Sequence, residues 1–210
     1  MKVLHARSYR EGLRELAGRD PELARIHADF GTPPTWFREP GFPTLLHIIL
    51  EQQVSLASAR AAYERLSSLA SPLTPARFLA LKDTELKGAG FSRQKIIYGR
   101  HLAEAIASGR LNLEALAVAD DAEVKASLTA LKGIGSWTAD IYLLMSLRRA
   151  DAWPAGDLAL AVALQEVKNL DTRPTPLELI ELAEGWRPWR AVAARLLWHY
   201  YLQRRRAKND

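Results

Sequence analysis

The 210-residue chain contains no cysteine, which excludes disulfide staples, thiolate nucleophiles, zinc-thiolate centres and iron–sulfur clusters. A chain of this length can bury a core without covalent staples, and the absence of thiols fits a reducing compartment such as the cytoplasm. Long apolar runs are missing too. None approaches the roughly 20 residues that span a bilayer, so no membrane partner is expected. The opening MKVLHARSYREGLREL is charged throughout and does not read as a signal peptide. His5, His27, His47, His101 and His199 show no pairing at helical spacing and no HExxH pattern, so a divalent side-chain metal site has no support. Alternation at period two, the mark of strands, is hard to find.

What the chain does hold is positive charge and apolar residues at helical spacing. Its 29 Lys and Arg against 24 Asp and Glu give a formal charge of +5, which permits a polyanionic partner without requiring one. The excess is local. From Trp186 to Asp210, seven basic residues (Arg187, Arg190, Arg195, Arg204, Arg205, Arg206 and Lys208) stand against one acid. The tail 204–208 reads equally as a solvated cationic end or as a contact for an anion.

Phe42, Pro43 and Thr44 form a helix start, and Leu45, Leu46, Ile49, Leu50, Val54 and Leu56 supply a broad apolar face behind it. Further helices are expected at about 9–18, 21–30, 75–81, 92–108, 120–131, 136–148, 157–168, 176–184 and 188–203, punctuated by Gly, Pro, Ser and Asp. The fold class is all-α, a compact set of about ten helices. One internal echo, LKGAG at 86–90 and LKGIG at 131–135, is offset by 45 residues and reads as two helix-turn-helix joints in a shared layer. A single pair is too few for a solenoid.

In LKGIGSWTAD (131–140), two glycines one residue apart allow a tight turn between helices. The helix opened by Ser136, Trp137 and Thr138 has first amides without intrahelical acceptors, so they suit a phosphate. Such a backbone grip positions nucleic acid without reading its bases. An ordinary αα-corner with a glycine cap is the alternative.

With WPAGDL at 153–158 placing Asp157 22 residues after Gly135, this hairpin resembles the helix-hairpin-helix, Gly/Pro-rich loop and aspartate of the HhH-GPD DNA glycosylase superfamily. Within it the chain is most similar to the 3-methyladenine DNA glycosylase II family. IILEQQVS at 48–55 resembles that family's I-L-x-Q-x-V-S helix, and WRPWR at 186–190 with Trp198 resembles its W-x-P-W-R…W helix. The similarity covers roughly residues 40–203.

The resemblance implies a single glycosylase domain over 1–210 with about ten helices in two subdomains: one discontinuous, approximately 1–42 plus 155–210, the other approximately 43–154 with the hairpin 131–135, and the active site in the cleft between them. It assigns Asp157 as the catalytic carboxylate, although an Asp directly before LALAVAL is also a sound N-cap, and the two roles are compatible. It assigns Trp137 and Trp198 to the base pocket, where an aromatic wall favours the positive charge of an alkylated purine. It assigns Gly133, Ile134, Gly135 and Thr138 to the DNA-binding hairpin, and Gln53 to the wedge that fills the gap left by a flipped nucleotide.

Trp137 stands where the superfamily's lyases carry a lysine nucleophile, which implies a monofunctional hydrolase with no strand-cutting activity. No cofactor is required; a structural sodium or potassium ion is expected on the backbone carbonyls of Thr129, Leu131 and Ile134. The expected partner is double-stranded DNA carrying alkylated bases such as 3-methyladenine and 7-methylguanine, handled by a monomer in the cytoplasm as a step of base excision repair. A glycosylase for another damaged base, and a non-catalytic helix-hairpin-helix DNA-binding module, are the alternatives.

Overall fold

The computed structural model describes residues 2–207. Thirteen α-helices, α1 to α13 in chain order, account for most of it: Ala6–Arg19, Pro21–Phe30, Phe42–Glu51, Leu56–Leu69, Pro75–Ala80, Asp83–Gly88, Arg93–Ala107, Leu113–Val118, Asp121–Thr129, Ser136–Met145, Leu158–Val167, Pro176–Ala183 and Arg190–Arg206. The described residues hold no strand, only an isolated bridge between Val3 and Arg149. The starts follow local chemistry. Asp20, Ser55, Thr74, Ser92, Asn112, Asp120, Asp157 and Thr175 each accept a first-turn amide with the side chain, satisfying donors that have no acceptor within the helix.

The chain divides into two compact units, Met1–Phe37 with Leu143–Asp210, and Arg38–Tyr142. The boundaries expected near 42/43 and 154/155 therefore lie at 37/38 and 142/143, and the segment 143–154 joins the discontinuous unit. In that unit α13 packs on α1, α2 and α11. Every residue from Ala191 to His199 is buried, so this part of the helix is covered on all sides rather than along one stripe. At Gly12 of α1 an added Cβ would lie 2.8 Å from the Trp189 ring; only glycine permits that approach. The indoles of Trp153, Trp186 and Trp189 donate to Leu179 O, Asp20 Oδ2 and Glu15 Oε2 at 3.0, 2.8 and 2.9 Å, as buried tryptophans should.

In the contiguous unit α7 packs on α3, α5 and α6, with Phe78 tilted against Phe42 and Phe91. The apolar face expected to run from 45 to 56 ends sooner. α3 stops at Glu51, Gln53 takes a left-handed φ of +57°, and Ser55 caps a separate α4. Val54 and Leu56 are consequently exposed, at 46% and 63%. The echo at 86–90 and 131–135 also differs in conformation. In the first joint the positive φ falls on the second glycine, Gly90, and in the other on the first, Gly133. Both segments join helices, but the turns are not copies.

Candidate functional site

The hairpin between α9 and α10 is held from three sides within its unit. Gly133 has φ +94°, and an added Cβ would sit 2.1 Å from Cγ of Tyr98, so the Tyr98 ring of α7 lies directly on the glycine backbone. From the end of α3, the Gln52 amide donates to Gly133 O at 2.9 Å and Thr138 Oγ1 at 3.0 Å. The two arms are joined by the ion pair of Lys125 and Asp140 at 2.9 Å. Ile134 and Thr138, expected at the DNA-binding surface, have buried side chains. Ile134 plugs the core and the Thr138 hydroxyl receives Gln52, leaving their backbone as the part that can meet a ligand. Gly135 is exposed, and a Cβ there would meet nothing within 4 Å.

Around this turn Gln52, Gln53, Lys95, Tyr98, Gly133 and Gly135 line an open concavity of about 600 Å³. Lys95 anchors it by donating to Leu50 O at 2.6 Å, the carbonyl end of α3, and burial pushes its ammonium below the ordinary lysine value. Gln53, the residue assigned as wedge, is exposed on its left-handed turn at the rim. Trp137 lies half-buried in the first turn of α10.

The carboxylate assigned to catalysis belongs to the discontinuous unit. Asp157 caps α11, and its Oδ1 accepts both the Leu160 amide and the Trp198 indole N–H, each at 3.0 Å. Asp157 and Trp198 are 9% and 8% exposed. The tryptophan expected as a wall therefore also orients the acid, a role invisible in the motif. Trp36 stands edge-on to Trp198 at 6.3 Å and 79°, and sequence reasoning did not single it out. His/Asp/Glu groups able to hold a metal ion are absent among the described residues.

Three of the seven basic residues of this segment are taken up by the fold. Arg187 and Arg190 pair with Asp151 and Glu184 at 2.7–3.3 Å. Arg195 is fully buried and donates to the carbonyls of Thr35, Ala191 and Leu144 at 2.7, 2.8 and 3.0 Å; burial lowers its guanidinium to about 10. Arg204, Arg205 and Arg206 remain exposed at the last turn of α13, and Lys208 lies outside the described residues.

Residues 46–188 match the family described as HhH-GPD superfamily base excision DNA repair protein, and the chain belongs to that family. Among its relatives, the chain is 30% identical over 165 residues to DNA-3-methyladenine glycosylase 1 of Schizosaccharomyces pombe, covering 77% of this chain and 72% of that one. A solved structure of a 3-methyladenine DNA glycosylase from the same yeast, in complex with abasic DNA, superposes with a TM-score of 0.85 at 28% identity, over 90% of this chain and 95% of that one. DNA-3-methyladenine glycosidase from Bacillus halodurans superposes with a TM-score of 0.75 at 31% identity, over 90% and 88% of the two chains. The chain spans 40% and 43% of the length of two Bacillus subtilis relatives.

Proposed function

We propose that this protein is a monofunctional DNA glycosylase that hydrolyses the N-glycosidic bond of alkylated purines and leaves an abasic site. The observation that carries the reading is the fixed carboxylate of Asp157. It is nearly excluded from water, and one oxygen is held by two N–H donors at 3.0 Å. A carboxylate so oriented stabilises the positive charge that grows on the deoxyribose as the C1′–N bond breaks and its electron pair leaves with the base. It then aligns the water whose oxygen bonds C1′, and accepts or passes on the proton released. Low exposure strengthens these electrostatic effects over their value in water. A purine already carrying positive charge leaves as a neutral base, so little acid catalysis is asked of the protein.

The names of the relatives support this substrate class. Trp137, in the sequence position of a lyase lysine, supports hydrolysis alone over strand cleavage. Gly135, open and without a side chain at the start of α10, suits a phosphate approaching the amides there. Gln53, presented outward by its left-handed turn, suits the gap-filling role. The carbonyls of Thr129, Leu131 and Ile134 lie at the end of α9 and in its turn, where helical acceptor pairing ends. Leu131 O accepts the Ile134 amide at 3.1 Å and keeps a second lone pair, and a monovalent cation on these carbonyls, holding the turn, is part of the proposal.

The test is Asp157→Asn in the full chain on randomly methylated DNA, with the released bases identified. Base release should fall by roughly a hundredfold or more, while binding to abasic DNA persists, as expected when a group acting in the transition state is neutralised. Full release by the variant refutes the assignment of Asp157. No release by the unaltered protein, with lesion-indifferent, salt-sensitive binding, establishes instead a phosphate-holding module; release only of bases that are uncharged while still attached to the sugar establishes a glycosylase for other damage.

A further inference from the structure

Trp36 has φ +48°, a strained backbone conformation that is an outlier for a bulky residue. Its neighbours on both sides are fixed from far away in the chain. Thr35 O accepts Nε of the buried Arg195 at 2.7 Å. Phe37 lies under two guanidinium groups, Arg148 at 4.9 Å and Arg195 at 5.0 Å from its ring centroid. Arg148 itself has φ +55°. This clamp over-determines the segment 35–37, the condition under which backbone strain persists, and strain of this kind clusters where a side chain must be aimed.

The side chain so aimed is an indole whose plane meets that of Trp198 at 79°, with centroids 6.3 Å apart. Trp198 bonds Asp157 and has only 8% of its surface exposed, so it offers little surface to a ligand. Trp36 is part-exposed. All these residues lie in the same unit. We infer that Trp36 is a specificity-determining residue, the reachable aromatic wall that takes the face or edge of a cationic base beside Asp157. The inference rests on the reading of Asp157 as the hydrolytic carboxylate. The near-perpendicular indoles suit a planar base that stacks on one ring and turns its edge to the other, and the π face of Trp36 favours a cationic base over a neutral one of the same shape.

The experiment compares Trp36→Leu and Trp36→Phe with the unaltered chain. It measures single-turnover release of cationic 7-methylguanine and of neutral hypoxanthine, and the melting temperature. Trp36→Leu should lower the ratio of cationic to neutral release by about 2- to 30-fold, the range of a cation–π contact, and Trp36→Phe should restore most of it. An unchanged ratio overturns the inference, whether both rates fall together with the melting temperature, as for a purely packing residue, or neither falls. Asp157→Asn run beside them separates the two failures. If it is inactive while the ratio stays fixed, Trp36 is wrong and the carboxylate reading stands; if it is fully active, the carboxylate reading itself has failed.

Discussion

The two hairpin glycines should respond to alanine in opposite ways. At Gly133 a Cβ would be forced to φ +94° and to 2.1 Å from Tyr98 Cγ. The backbone term costs about 1–3 kcal/mol and displacing a packed ring about 1–3 kcal/mol more, so Gly133→Ala should lose roughly 2–6 kcal/mol of stability in urea denaturation. Pairing it with Tyr98→Ala should recover the steric part and leave the backbone part, a positive coupling in a double-mutant cycle.

Gly135 lacks both constraints, since a Cβ there meets nothing within 4 Å. Gly135→Ala should therefore gain about 0.4–1 kcal/mol by restricting the unfolded chain. Yet the new methyl would hold a phosphate away from the helix start, and loss of one charge-assisted hydrogen bond of about 1.5–3 kcal/mol weakens binding roughly 10- to 100-fold. Fluorescence anisotropy with duplex DNA bearing an abasic analogue measures it. A Gly135→Ala protein that binds DNA as tightly as the parent refutes the phosphate grip. A Gly133→Ala protein that loses less than about 1 kcal/mol refutes the account of the Tyr98 contact.

Gln52→Ala should cost about 1–3 kcal/mol, because it leaves Gly133 O and Thr138 Oγ1 without the donor that ties α3 to the turn; chemical denaturation checks the stability, and DNA affinity should fall with it. Asp20 gives a pH signature. Burial works against its charged form, but the Leu23 amide, the Trp186 indole and the Lys168 ammonium hold its carboxyl below the ordinary value. A depressed folded pKa means that this stabilisation is complete above the ordinary carboxylate value near 4 and is lost as pH falls through the lower folded one. Asp20→Asn should cost about 1–3 kcal/mol at pH 7 and flatten the acid limb of a stability-against-pH curve; an unchanged limb refutes the role given to Asp20.

Much of the fold was legible because it is written locally. The Asp157 cap and the Pro21, Pro43, Pro75 and Pro176 helix starts follow from single residues and their neighbours. The hairpin motif located the turn, and the family followed from three ordered motifs. What escaped is set by distance in the chain. The helices α6 and α8 have six residues each, too short for periodicity to mark them. The left-handed turns at Trp36 and Gln53 leave no periodic trace, and the aim of Trp36 depends on the bond from Arg195 to Thr35, 160 residues apart. The cationic count likewise could not show that Asp151 and Glu184 take up Arg187 and Arg190, or that Arg195 serves main-chain carbonyls in the interior.

The interleaved division of the chain has a consequence for its synthesis. Residues 38–142 are continuous, so the hairpin unit has all its parts as soon as they leave the ribosome. The other unit is split: α1 and α2 emerge first, while their partner α13 begins only at Arg190. At about 5–20 residues per second the wait is on the order of 10–30 s, during which Leu13, Leu16, Leu23 and Ile26, all buried in the finished protein, have no α13 to cover them. The nascent chain is therefore open to aggregation and chaperone capture along α1 and α2, and that vulnerability closes only when α13 arrives.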